Sequence, residues 1–561
     1  MTTTSTRPWL KSYPDGVPAD INVDQYTSLV QLMEDSFRQY AERTAYSFMG
    51  KSFSYAQVDS VSTAFATYLQ SLGLVKGDRV AVMMPNVPQY PVAVAAILRA
   101  GLVVVNVNPL YTPRELEHQL KDSGAKAIVI IENFASTLAE CIGKTPVKHV
   151  VLAAMGDMLG LLKGALVNYV VRNVKKMVPA YNLPGAVRFN EAVARGTRGT
   201  LKKPDIGPTD VAVLQYTGGT TGVSKGAVLQ HRNVVANALQ SEVWNAPVIK
   251  TIPAGEQYTS VCALPLYHIF AFTVNMMLTL RMGGKTILIP NPRDMPAVLK
   301  ELSQHTFHSF PAVNTLFNGL VNHPDFGTVN WRNLKVTVGG GMAVQSAVAK
   351  RWLEKTGCPI VEGYGLSETS PSASCNPVTS LEFSGTIGLP LPSTWMKCLD
   401  DDGNEVPHGQ PGEIAIKGPQ VMAGYWQRPD ETAKVMTPDG YFKTGDVGVM
   451  DDRGYFKIVD RKKDMVLVSG FNVYPNEVED VVASCPGVLE CAVVGVADDK
   501  TGEAVKLVVV KKDATLTEAA VRDYCKTNLT GYKQPKVVEF RTEMPKTPVG
   551  KILRRELRDK A

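Results

Sequence analysis

Apolar positions along this chain alternate between two spacings. Segments 28–42, 55–72, 90–100 and 113–123 carry apolar residues at helical intervals, whereas 78–84, 103–107 and 127–131 are short, nearly continuous apolar runs. Such runs predict strands buried on both faces, and helices of ten or more residues between them predict parallel sheets. The same rhythm continues through 258–263, 285–289, 308–310 and 334–338. Around Pro390 it gives way to short strand-like pieces at 413–417, 440–443 and 454–458, separated by turns. From about 460 a smaller α+β unit is expected, with strands over 489–496 and 505–510. Its helix over 516–529 is expected to open on the capping box Thr515-x-x-Glu518. The pattern therefore predicts an α/β protein of two units, a large one over 1–459 and a small one over 460–561.

One stretch breaks the alternation. Over 158–178, apolar residues fall at 158, 161, 162, 165, 166, 169, 170, 174 and 177, while Lys163, Arg172, Lys175 and Lys176 are cationic. The ordinary expectation is a helix whose stripe packs on the core. The competing one is a helix lying on a membrane surface.

Composition adds bounds. With 561 residues the chain is too long for one core. A net charge of +6, with no basic stripe among aromatics, argues against nucleic acid as a partner. The eight cysteines show neither Cys-x-x-Cys nor zinc spacing, as expected for reduced thiols in a cytoplasmic protein. The polar start is unlike a signal peptide. The most apolar run, 91–105, is interrupted by Arg99 and is too short to span a bilayer.

Candidate chemistry begins after the apolar run 211–214, at Tyr216-Thr217-Gly218-Gly219-Thr220-Thr221-Gly222-Val223-Ser224-Lys225-Gly226-Ala227. Glycines let backbone N–H groups approach an anion, hydroxyls add donors, and Lys225 adds a point charge. The stretch reads as a phosphate cradle, with a plain surface loop as the alternative. It does not fit the Gly-x-x-x-x-Gly-Lys-Ser/Thr loop, since Ser224 precedes Lys225. Gly339-Gly340-Gly341 offers bare backbone to a planar ring. Tyr364-Gly365-Leu366-Ser367-Glu368 pairs an aromatic face with a carboxylate that suits magnesium. Thr444-Gly445-Asp446 ends in an acid suited to ribose hydroxyls, and Pro545 to Lys551 forms a proline-stiffened loop presenting a lysine. Taken singly, each is also an ordinary turn.

In this order and spacing the segments resemble the adenylate-forming acyl-CoA synthetases, over nearly the whole chain. Asp439 to Asp446 continuing to Asp460-Arg461-Lys462-Lys463-Asp464 resembles the fatty-acyl-CoA synthetase signature, and the nearest resemblance is to bacterial long-chain fatty acid–CoA ligases. The resemblance implies a large N-terminal domain of α/β subdomains with a distorted β-barrel, and a small mobile α+β C-terminal domain. It implies fatty acid, ATP, Mg2+ and coenzyme A as reactants and cofactors, with acyl-AMP formed first and thiolysis second. By position, Tyr216 to Gly222 and Lys225 would hold the phosphates, with Thr217 and Glu368 near the metal. Gly339, Gly340, Gly341, Tyr364 and Gly365 would enclose adenine, and Asp446 and Arg461 the ribose. Lys551 and His268 would serve the reacting carboxylate, and Asp460 would be the hinge. Phe272 would gate the acyl pocket, although long-chain relatives are expected to carry Trp there. A medium-chain or aryl-CoA ligase, a carrier-loading adenylation domain and a non-catalytic homologue remain alternatives. Peripheral attachment to the inner face of a membrane through 158–178 and a homodimer are both compatible with this reading.

Overall fold

The strands Arg79–Met83, Val103–Asn106, Ala127–Ile131 and Val211–Thr217 lie side by side, as their uninterrupted apolar sequences require. The computed structural model describes residues 7–217, 224–461, 464–469, 471–498, 500–547 and 550–558, and of Arg461 only the backbone. These four strands form the centre of a seven-stranded sheet, parallel except for Lys225–Gln230, which runs antiparallel at one edge. A second sheet of nine strands carries Thr259–Cys262, Ser309–Ala312, Val336–Gly339 and Ile360–Gly365 in parallel register near its middle.

Helix boundaries follow local chemistry. Pro113–Ser123 opens on a capping box in which Thr112 and Glu115 bond each other's backbone N–H, has Pro113 in its first turn, and ends at Gly124 with φ +61°. Helix His231–Ile249 lies between the sheets and carries no legible apolar stripe, because its polar side chains are buried too. Asn237 donates to the Ser372 carbonyl at 2.7 Å and Gln240 to the Pro392 carbonyl at 2.7 Å, so their burial is compensated.

Beyond Pro390, Trp395–Leu399, Gly412–Lys417, Phe442–Met450 and Phe456–Arg461 make a four-stranded antiparallel sheet where a distorted barrel is expected. A bridge between Gly388 and Phe456 ties it to the end of the nine-stranded sheet. The small C-terminal unit is a five-stranded sheet led by the hairpin Val488–Asp498 and Gly502–Lys511. Helices Pro475–Ala483 and Glu518–Asn528 cover its apolar face. The second of these begins later than expected. Its cap is Thr517, whose side chain accepts from Ala520 N, while Thr515 turns back to bond Asp513. Leu516 is buried against the sheet, which fixes that turn before the helix starts.

The small unit sits against the large one through specific polar contacts. Ser346 donates from N and Oγ to Asp480, Thr315 Oγ1 donates to the Gly550 carbonyl at 3.0 Å, and Asn318 donates to the Leu489 carbonyl at 2.8 Å. Asp460 is fully buried in the last strand of the four-stranded sheet, and its carboxylate accepts from Asn476 N at the start of helix Pro475–Ala483.

The stretch 158–178 departs from the core-packing expectation. It is helical over Leu161–Tyr169 and continues as a π-helix over Val170–Val174. Leu161 and Leu162 are 93% and 90% exposed, and Leu166, Tyr169, Val174 and Met177 are exposed as well. The segment meets the body by its other face. Gly164 packs against Gly156 so closely that a Cβ on either would fall within 2.4 Å of the other's carbonyl oxygen. Asn168 accepts from Gly156 N at 2.7 Å. Arg172 is not a free cation, because it grips the buried Glu132 with two bonds of 2.7 and 2.9 Å.

Candidate active site

The glycine- and threonine-rich stretch joins the antiparallel edge strands of the seven-stranded sheet. Tyr216 faces Gly226 and Thr217 faces Lys225, so the two stems of the cradle are held in register. Gly226 is needed there, since a Cβ would press on the Tyr216 ring at 3.1 Å. Tyr216 directs its hydroxyl to Asp122 at 2.7 Å, and Ser224 Oγ donates to the Thr217 carbonyl at 2.7 Å. The expected phosphate contacts of Gly218, Gly219, Thr220, Thr221 and Gly222 lie outside the described residues. Against the stems packs the short turn Ser367–Thr369, which carries Glu368. Glu368 is buried, and its Oε1 accepts from the Tyr425 hydroxyl at 2.8 Å.

Next to this turn stands the constellation that the sequence leads one to expect around a nucleotide. The strand Ile360–Gly365 delivers Tyr364, whose hydroxyl donates to Asp446 Oδ2 at 2.7 Å. Asp446 in turn pairs in register with Arg461 across the antiparallel ladder, so both ribose candidates share one place. The glycines are set by packing. A Cβ on Gly340 would lie 2.9 Å from the Phe270 ring, and one on Gly339 would lie 2.4 Å from Val344. Gly341 adopts φ +77°. The tightest is Gly365, where a Cβ would fall 1.8 Å from the Pro371 carbonyl oxygen. Gly365→Ala is therefore expected to cost about 2–3 kcal/mol of stability through forced backbone movement. An unchanged urea midpoint would count against this account.

His268, Phe272 and Lys551 are the remaining residues of the expected set. His268 caps the short helix Ile269–Ala271, its Nδ1 accepting from Phe270 N at 3.3 Å, so the ring carries its proton on Nε2. Burial, and then the nearby Lys551 charge, push its pKa down to about 4, which keeps it neutral at working pH. The lysine loop reaches the glycine strip, since a Cβ on Gly341 or on Gly550 would meet the same Val313 side chain, at 3.7 and 3.1 Å. The lysine loop is shaped locally by Thr547, which donates its N–H to the Lys551 carbonyl and accepts the Lys551 N–H on Oγ1. Phe272 is fully buried and begins the π-helix Phe272–Leu278, an uncommon form often found at functional sites.

Among the described residues, no group of three or more His, Cys, Asp or Glu is placed to hold a metal. A buried carboxylate on a turn packed against the strand that ends at Thr217 suits a hard cation that takes its remaining oxygens from phosphates. Three partners escape sequence reading: Tyr425 on Glu368, Asp122 on Tyr216 and Arg428, and Glu431 on Lys225. The aromatic pair Tyr425-Trp426 inside a Gly/Pro turn was the available signal for the first.

A family model described as AMP-binding enzyme matches residues 33–426, and one described as AMP-binding enzyme C-terminal domain matches residues 477–551. The chain is 55% identical to a long-chain-fatty-acid–CoA ligase of Escherichia coli O6:H1 over 554 residues, covering 99% of this chain and 98% of the relative. A ligase of the same description from Bacillus subtilis is 37% identical over 558 residues, again covering 99% and 98%. Among solved structures, ATP-bound MatB from Rhodopseudomonas palustris superposes with a TM-score of 0.80 at 30% identity, covering 94% of this chain and 98% of that one. The apo form of MatB, at the same identity and coverage, gives 0.70.

Proposed function

The chain belongs to the AMP-binding enzyme family of adenylate-forming proteins, and from that membership we propose that it is an ATP-dependent long-chain fatty acid–CoA ligase. The observation that carries the reading is the Tyr364–Asp446 pair and buried Glu368 beside the cradle stems, with the loop that bears Lys551 anchored to the large domain through Thr315. The acid is activated by attack of its carboxylate on the α-phosphorus of ATP. One P–O bond forms, the bond to pyrophosphate breaks, and acyl-AMP results. Coenzyme A thiol then adds to the acyl carbonyl and expels AMP.

The chain's own groups supply position and charge. Tyr364 and the glycine strip hold the adenine plane, and Asp446 with Arg461 accepts and donates at the ribose. Lys225 draws the polyphosphate, and Lys551 meets the charge that grows as the P–O bond breaks. His268, proton on Nε2, donates to the acyl carboxylate and orients it. Glu368 and Thr217 would hold magnesium, which when bound neutralises phosphate charge. No nucleophilic side chain is required, and all eight cysteines are buried.

We place the domain boundary at Asp460 and assign it the hinge about which the small domain turns before thiolysis. The better match to the ATP-bound than to the apo form of MatB supports reading the present orientation as the one for the first half-reaction. Phe471, exposed and stacked on Tyr532 at 4.9 Å, would then belong to the face that replaces Lys551. We also assign the exposed stripe of 161–177 to the inner face of a membrane, where long-chain acids partition. No helix among the described residues is long and apolar enough to cross one.

The test is ATP–pyrophosphate exchange over acids of graded length, with and without coenzyme A. Exchange should be supported by long-chain acids without the thiol, and acyl-CoA should appear on adding it. Exchange confined to short, aromatic or amino acids would replace the substrate class.

A further inference from the structure

The cradle lysine carries a counter-ion that nothing in the adenylation chemistry calls for. Lys225 Nζ forms an ion pair with Glu431 Oε2, both side chains being about one-third exposed. Glu431 Oε1 accepts from Lys434 at 2.6 Å. Lys225 and then Lys434 hold the Glu431 carboxyl down to about 2, so it is ionised at any working pH. On its other side Lys225 lies over the Tyr425 ring, 5.3 Å from the centroid, and Tyr425 in turn donates to Glu368.

The frame beneath this cluster is fixed. Trp426 N donates to the Gly226 carbonyl at 2.8 Å, Val228 N donates to the Gly424 carbonyl at 2.9 Å, and Tyr425 N donates to Thr432 Oγ1 at 2.8 Å. Backbone bonds thus lock Gly424 and Trp426 onto the strand that begins at Lys225, the Thr432 hydroxyl closes 425–432 on itself, and Glu431 is thereby delivered to the ammonium. A carboxylate at the edge of a polyanion site has the wrong sign for affinity, because like charges repel. Its effect must be opposite to that of the lysine it holds.

Resting on the ATP-ligase reading above, we infer that Glu431 is a positioning residue that competes with the polyphosphate for Lys225. It loosens ATP and, after the α–β bond has broken, recaptures Lys225 and speeds the departure of pyrophosphate. No bond is made or broken at Glu431. The tuning is modest, as expected for a partly exposed pair.

The experiment is a double-mutant cycle with Glu431→Gln, Lys225→Gln and the pair, read as KM for ATP and as the product-inhibition constant for pyrophosphate. Glu431→Gln keeps the shape and removes the charge. It should lower both constants roughly fivefold, with kcat for adenylation changing less. Glu431→Asp should restore wild-type values. In the Lys225→Gln background the Glu431→Gln effect should vanish, since the competition needs the lysine. Unchanged or raised constants in Glu431→Gln would overturn the inference. So would an equal decrease in the Lys225→Gln background, which would mean direct repulsion rather than competition. Lys225→Gln alone tests the underlying reading separately: if it leaves KM for ATP unchanged, the lysine is no phosphate ligand and the inference falls with it. Exchange activity in the wild type stands or falls independently of Glu431.

Discussion

Lys551→Ala is expected to slow acyl-adenylate formation by some hundreds-fold, the scale of losing one preorganised charge donor at a transition state. Thiolysis of supplied acyl-AMP should change little. The expectation rests on how the lysine is held. Gly550 takes φ +83° and its carbonyl accepts from Thr315 of the large domain, so the loop is anchored across the junction. A Cβ at Gly550 would lie 2.8 Å from Thr315 Oγ1, which leaves glycine as the residue that permits this approach. Lys546, five residues earlier, is fixed to Glu490 by two bonds of 2.7 and 2.8 Å. The backbone of the loop is therefore already ordered before substrate arrives. In the proposed role the Lys551 charge would meet the leaving pyrophosphate oxygen in the first half-reaction and would have no counterpart in the second. Separate rate measurements, adenylation by exchange and thiolysis from synthetic acyl-AMP, check this. Equal losses in the two would show that Lys551 is structural.

Much of this candidate site can be read in the sequence, because the residues proposed to touch nucleotide sit in short motifs whose chemistry is local. Tyr364, Glu368, Asp446 and the glycine strip are such cases, and the structure brings them together. Central strands are equally legible, since burial on both faces leaves an unbroken apolar run: Ala127–Ile131 is observed with the expected bounds. What stays hidden depends on distant partners. Nothing near Lys225 announces Glu431, and nothing near Tyr216 announces Asp122, because each pair is made by the fold. Helix His231–Ile249 is hidden for a different reason, its buried polar residues erasing the period that marks an amphipathic helix. The capping box at Thr515 misleads because Thr517 offers the same chemistry, and the burial of Leu516 decides between them. In 158–178 the period correctly announces a stripe. Periodicity does not say which side of a helix meets the protein.

That last point leads to the second large effect. The triple variant Leu161→Gln, Leu162→Gln, Leu166→Gln is expected to lose at least tens-fold in partitioning onto anionic vesicles. A fully buried leucine is worth roughly 1.5–3 kcal/mol, so even half-depth insertion of three gives a factor of that order. All three are exposed, and the residues that hold the helix to the body, Gly164, Asn168 and Arg172, are left in place, so the fold should be untouched. Lys163 flanks the stripe and donates to the Met49 carbonyl, while Lys175 and Lys176 lie exposed at its end. Each adds about 1 kcal/mol near an anionic leaflet. Arg172 must be left in place. Removing it would strip two bonds from the buried Glu132, and the damage would be mistaken for lost membrane affinity. Salt separates the two contributions, because lysine attraction fades as the screening length falls from about 10 Å at 0.1 M to about 3 Å at 1 M, whereas apolar insertion does not. Wild type should thus retain part of its vesicle binding at 1 M salt and the triple variant almost none. Exchange activity toward a soluble medium-chain acid should be the same in both. Co-sedimentation that is equal for the two proteins at low and high salt would refute the membrane-facing assignment of this helix.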